Sequence, residues 1–191
     1  MDPERTEQEA IRRWRAGDPE GLAVLVRLYE LRALRTAYLI LQDRMDAEDA
    51  VQNASLRAWI YRRRFDPQRP FWPWFLQLVI REARRIAGRH LSKSVSDTGS
   101  DADRVDMEGW KDPGHAPDLI AERKESVRAL RQALQRLSPA QRTAVALRYY
   151  HSLAEKEIAE IMGCSVGAVK HYLYEARLRL RDMLDSGETQ L

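Results

Sequence analysis

Asp46, Glu48 and Asp49 place three acids within four residues, and Gln52 and Asn53 follow one turn further on. They stand in a chain of 191 residues with a formal net charge of +3 and a pI near 9.1. Two chemistries suit such a cluster. Acids at a helix start complement the positive end of the helix dipole. Acids turned to solvent steer and register a basic partner. The residue types leave both open.

A second set spans residues 62–90. Arg62, Arg63, Arg64 and Arg69 are interleaved with Phe65, Phe71, Trp72 and Trp74, and Arg81, Arg84, Arg85 and Arg89 follow. Cations track a phosphate backbone and aromatic rings stack on unpaired bases, so the mixture suits single-stranded or melted DNA. Core rings under a solubilising shell give the same pattern. Trp74, just ahead of a helical stripe, is expected in the core. Phe71 and Trp72, beside prolines and Arg69, are expected to be exposed.

A third set lies on a short helix, a turn at Gly163-Cys164-Ser165 and a second helix. That is the pattern of a helix-turn-helix, whose second helix enters the DNA major groove. Val166, Val169, Leu173, Ala176 and Leu180 step by three and four and should face the domain. Lys170, His171 and Tyr174 then lie on the free side and can donate to base edges or phosphates. Arg177 and Arg181, nearer the stripe's edge, suit phosphates. Glu175 sits beside the same face and repels them. An ordinary helical hairpin with a solvated face is the competing reading.

These side chains need helices to position them. No period-two alternation of β-branched residues occurs, while three- and four-residue spacing runs throughout, so the chain is expected to be all-α. Asp18-Pro19-Glu20 starts a helix, and Asp46 is expected to cap the next, which runs to about Arg64. Prolines at 67 and 70 break the chain before a helix starting near Trp72. Val127, Leu130, Leu134 and Leu137 form a later stripe. Ser138–Gln141 and Ser152–Glu155 are expected as capping boxes. Residues 91–117 are rich in Ser, Asp, Gly and Pro, carry net negative charge and have no apolar period, so a flexible linker is expected there, with the docking of Trp110 left open.

One cysteine, Cys164, excludes an internal disulfide, and neither a signal peptide nor a membrane-spanning run is found, so a cytoplasmic protein is expected. His90, His115, His151 and His171 are scattered without metal-ligand spacing, and there is no glycine-rich phosphate loop. An enzyme is not expected, nor any metal or cofactor.

Three segments, DAEDAVQNASLRAW, RFDPQRPFWPWFLQLV and LQRLSPAQRTAVALRYYHSLAEKEIAEIMGCSVGAVKHYLYEARLRLR, together resemble the sigma-70 family of bacterial sigma factors, of the extracytoplasmic-function (ECF, group 4) type. The resemblance covers about residues 18–90 and 118–185. It implies two small helical domains, region 2 over 1–90 and region 4 over 118–191, joined by the linker 91–117. It implies a non-enzymatic protein that binds core RNA polymerase, through the β′ clamp coiled coil and the β flap, and directs it to promoter DNA. An anti-sigma partner is also implied.

Carried over, Asp46, Glu48, Asp49, Gln52 and Asn53 are the polymerase-docking residues. Phe65, Arg69, Phe71, Trp72, Arg81, Arg84 and Arg85 meet the minus-ten element, the loop Phe65–Trp72 capturing a flipped base. Lys170, His171, Tyr174, Glu175 and Arg177 meet the minus-thirty-five element. Asn53 stands where that family usually has an acid, Ser55 where it often has Phe, and Ile80-Arg81 where Arg-Asn is frequent. A two-domain regulator that binds DNA without polymerase is the alternative; it leaves the acidic helix and the Phe/Trp loop without a task.

Overall fold

The computed structural model describes residues 3–94 and 129–187, with side chains over 5–90 and 129–182. The chain divides into two units, Met1–Thr98 and Gly99–Leu191. Every regular element among the described residues is helical. Most of the expected linker lies outside the described residues, as does Trp110; only 91–94 are described, and they continue a helix.

The first unit opens with a helix that sequence reasoning did not identify, α1 (Pro3–Arg15). Its Ala10, Ile11 and Trp14 are buried at helical spacing. Gly17, at φ 96, turns the chain, and the Asp18 carboxylate accepts the Glu20 N–H at 2.9 Å to cap α2 (Pro19–Leu41) as expected. The two helices touch backbone to backbone. A Cβ at Gly21 would stand 2.3 Å from the Trp14 nitrogen and 2.7 Å from the Ala10 carbonyl oxygen.

Helix α2 ends at Gln42, in the left-handed region at φ 60. That reversal brings Asp43, not Asp46, to the cap of α3 (Arg44–Tyr61): the Asp46 N–H donates to the Asp43 carboxylate at 2.8 Å. The expected cap is therefore corrected by three residues, and Asp46 sits in the first turn. Ala47, Ala50, Ala54 and Ala58 line the buried side of α3. Small side chains there let α3 lie close to α2 and α4 (Phe71–Ser94), both of which it contacts. From α4 come Phe75, Val79, Ile80, Ala83 and Ile86, all buried. A 3-10 turn, Arg62–Arg64, leads from α3 into the loop before α4.

That loop departs most from expectation. Phe71 is 0% and Trp72 8% exposed, and Phe65 is buried too. The expected exposure of Phe71 and Trp72 is therefore corrected. Trp14 of α1 supplies the cover that the local sequence does not reveal. Its ring centre lies 5.4 Å from both Phe65 and Phe71 and 5.6 Å from Trp74. Tyr29 of α2 stacks on Trp72 at 5.2 Å, and the Arg32 guanidinium lies over Trp72 at 4.6 Å. Trp74, expected in the core, is half-buried at the cluster's edge. The Trp14 Nε1–H finds no acceptor among the described residues, so ring packing alone seats the indole.

In the second unit the described residues begin with helical 129–135 (α5), followed by α6 (Pro139–Val145). The Ser138 capping box is present: its hydroxyl accepts the Gln141 N–H at 3.3 Å, and the Gln141 side chain accepts the Ser138 N–H at 2.9 Å. Arg142, half-buried, donates to the Leu137 carbonyl at 2.9 Å and ties α6 to the end of α5; burial lowers its pKa.

A π-helical turn, Ala146–Tyr150, then widens the coil. The His151 N–H reaches back to Ala146 O and that of Leu153 to Leu147 O. The overshoot leaves Ser152 at φ 56, where it caps nothing, so the second expected box is corrected. Helix α7 (Glu155–Met162) starts two residues later, with Glu157 accepting the Ala154 N–H at 2.7 Å. Gly163, at φ 65, ends it, and Ser165 caps α8 (Val166–Gly187) through the Ala168 N–H at 3.1 Å. Leu134, Leu147, Ile158, Met162, Val169, Leu173 and Ala176 form the core. Leu130 and Val166, expected on buried stripes, are exposed.

Gly21→Ala drives a Cβ into α1 backbone that cannot give way, and urea denaturation should show a loss of about 3 kcal/mol. Gly88→Ala, within α4 and open to solvent, should instead add about 0.5–1 kcal/mol. Phe71→Ala should cost about 3–5 kcal/mol by the same measurement, as a ring removed from a closed core. Arg69→Ala on the exposed tip of the loop should stay within about 0.5 kcal/mol.

Candidate nucleic-acid and partner surfaces

The structure sorts the acidic set on α3 by what each side chain already holds. Asp46 is half-buried and bridges the His90 Nε2 of α4 at 2.8 Å. Burial pushes its carboxyl upward, His90 opposes that, and the neighbouring Asp43 and Asp49 add to it. Glu48 pairs with Arg44 one turn back at 2.8 Å. The Asn53 amide donates to the Asp49 carbonyl of its own helix at 2.7 Å, and the Ser55 hydroxyl does the same to Val51 at 2.9 Å. Asp49 and Gln52 lie exposed on the outward face.

The same face carries residues that sequence reasoning missed. Met45 is 75%, Leu56 57% and Ile60 63% exposed. With Asp49 and Gln52 they step by four, three, four and four, and so share one stripe of α3. The signal was ambiguous in the sequence, because apolar residues at helical spacing describe a buried stripe equally well. Here alanines hold the buried side and leave the larger residues outside.

On α4, Arg81, Arg84 and Arg85 are exposed, and so is Arg69 on the loop before it. Arg85 has a second task. Glu82 is buried, and its carboxylate is held by Arg85 at 2.7 Å and by Arg57 of α3 at 3.3 Å. A buried carboxylate needs such partners. Arg69 lies 3.4 Å from Asp66, an exposed pair of little energetic weight. Phe65, Phe71 and Trp72 do not join this surface. They are buried in the ring cluster with Trp14.

In the second unit α8 presents Lys170, His171, Tyr174 and Arg177 to solvent, while Glu175 is half-buried at their edge. Lys170 lies 3.9 Å from Glu155, the first residue of α7. Arg179 reaches from α8 to Gln141 at 3.3 Å and fixes α8 against α6. The arrangement is a short helix, a turn and a second helix with a polar face outward that carries the cations Lys170 and Arg177.

Comparison with known proteins agrees with this layout. The family models for sigma-70 region 2 and sigma-70 region 4 match residues 25–93 and 127–180, well over half the chain together. The RNA polymerase sigma-H factor of Pseudomonas aeruginosa is 26% identical over 179 residues, 93% of each chain. The ECF RNA polymerase sigma factor SigW of Bacillus subtilis is 27% identical over 183 residues, 93% of this chain and 96% of its own. Among solved structures, the sigma factor RpoE of Bartonella quintana, crystallised with the anti-sigma factor NepR, superposes with a TM-score of 0.60 at 26% identity, covering 83% of this chain and 93% of its own. No helix among the described residues is long and apolar enough to cross a membrane. With two helical units, an outward acidic and apolar stripe on one and a helix-turn-helix on the other, the chain belongs to the sigma-70 family, as an alternative sigma factor of the ECF type.

Proposed function

We propose that the protein joins core RNA polymerase in the cytoplasm and directs it to promoters, with the work divided among three helix faces. The α3 stripe docks on the polymerase. The exposed arginines of α4 and its preceding loop lie along the minus-ten element. The outward face of α8 reads the minus-thirty-five element. The regions 1–90 and 118–191 are the two working domains, and 91–117 connects them. The β flap is the proposed seat of the second domain.

The observation that carries this reading is the α3 stripe. Asp49 and Gln52 stand between Met45, Leu56 and Ile60 on one exposed face. Apolar anchors on either side of an acid and an amide match a basic helical partner, the acid fixing register and the apolar groups supplying the burial. That is the chemistry a β′ clamp coiled coil offers. Asp46 and Glu48 contribute charge at the start of the face while engaged with His90 and Arg44. An anti-sigma factor, by analogy with the NepR complex of the relative, is the proposed inhibitor.

Asp49→Arg reverses one charge at the centre of the stripe without touching the core. In gel filtration with core polymerase it should lose co-elution, with affinity falling at least about tenfold, and its unfolding midpoint should not move. Unchanged affinity would remove α3 from the interface. Lys170→Ala with His171→Ala should weaken promoter binding, removal of each hydrogen bond to a base edge costing about 1–3 kcal/mol, with specificity relaxed in the upstream element. A uniform loss across all sequences would place both side chains on phosphates alone.

A further inference from the structure

The loop before α4 has an anchored entry and a braced tip. Phe65 is buried at its start, and within the tip the Gln68 N–H donates to the Asp66 carboxylate at 3.0 Å while the Arg69 N–H donates to the Asp66 carbonyl at 3.1 Å. Its exit is different. Phe71 is the first residue of α4, and the first N–H of a helix has no acceptor within the helix. Instead the Phe71 N–H donates to Glu7 Oε1 of α1 at 2.9 Å, across 64 positions of sequence. The other carboxylate oxygen of Glu7 accepts the Tyr29 hydroxyl of α2 at 2.6 Å. One side chain joins three elements at the point where the loop becomes helix.

Trp14, two turns beyond Glu7 on the same face of α1, packs on Phe65 and Phe71. Burial, followed by the Glu7 carboxylate, pushes the Tyr29 hydroxyl above the usual phenol range, so it remains a donor. A carboxylate against a helix N-terminus is favoured by both the hydrogen bond and the dipole. Helix α1 precedes residue 25, where the match to region 2 begins.

We propose that α1 is a clamp on this loop and that Glu7 is a positioning residue for strand opening. It fixes the loop's exit so that the polar rim Asp66–Arg69, rather than the buried rings, meets the separated strand. The proposal rests on the minus-ten role proposed above, and takes that role to include holding the separated strand. Loosening the exit lets the rim move relative to the exposed arginines of α4, which weakens capture of an unpaired base without touching the α3 stripe.

Holoenzymes assembled with wild type, Glu7→Ala and Glu7→Gln test it on one promoter, reading permanganate reactivity of the minus-ten thymines beside core-polymerase affinity and the unfolding midpoint of each free protein. Glu7→Ala should keep its affinity for core polymerase and lower the rate of opening about tenfold, the loss expected when a charged acceptor is withdrawn. Glu7→Gln should recover most of the rate, because its amide oxygen can still accept from Phe71 and its NH2 can donate to the Tyr29 oxygen. Opening by Glu7→Ala at the wild-type rate would overturn the proposal. So would a loss of opening in strict proportion to reduced core affinity, which would mark Glu7 as a general support of the fold. A wild-type holoenzyme that opens no promoter would overturn the sigma-factor reading itself, an outcome separable from either.

Discussion

The seating of Trp14 against the rings of Phe65, Phe71 and Trp74 is the contact on which the first unit depends. It requires α1 to lie hard against α2, and the absence of a side chain at Gly21 permits that approach. Once α1 is there, the loop between α3 and α4 is closed from above and the start of α4 is fixed. The position of α4 in turn sets where its outward arginines stand. A cluster of buried rings thus helps to set where a polar surface stands. Close packing transmits the constraint, because rings at van der Waals distance cannot be moved singly.

The charges follow a similar economy. Glu82 is buried yet lies between Arg57 and Arg85, which joins α3 to α4 and keeps a carboxylate inside the helix bundle satisfied. Asp46 and His90 make a second polar tie between the start of α3 and the far end of α4. Residues that look alike in sequence are therefore unlike in role. Of the three acids that open α3, one bridges to another helix, one pairs within its own, and one stands exposed. Where a carboxylate is already engaged, recruiting it to a partner means exchanging one polar contact for another; Asp49, exposed on the outward face, is the acid best placed to meet one.

The helical class, the division into two units and the helix-turn-helix were legible because three- and four-residue spacing and cap residues report directly on local structure. The Asp18 and Ser138 caps show this. Asp46 and Ser152 failed as caps because the decision lay one turn earlier, in the left-handed Gln42 and the π-helical turn, and no residue type announces either. The burial of Phe71 and Trp72 was illegible for a different reason. It depends on Trp14, more than fifty positions away, on a helix too short and polar to stand out. The exposure of Leu56 and Ile60 belongs to the same class: an apolar residue on a helix gives its spacing but not which face has a neighbour. Glu7 carried no signal at all, since a lone glutamate in a charged N-terminal stretch matches any solvated surface.

The central claim is that this chain supplies promoter selection to a polymerase that lacks it. The most direct measurement is transcription from a library of DNA fragments by purified core enzyme with and without the protein. Transcripts with defined starts, sharing two spaced upstream elements and appearing only when the folded protein is added, are the predicted result. Folded protein that binds the same DNA but leaves the core enzyme initiating no differently from the enzyme alone would contradict it, and would make the chain a DNA-binding protein that works without polymerase.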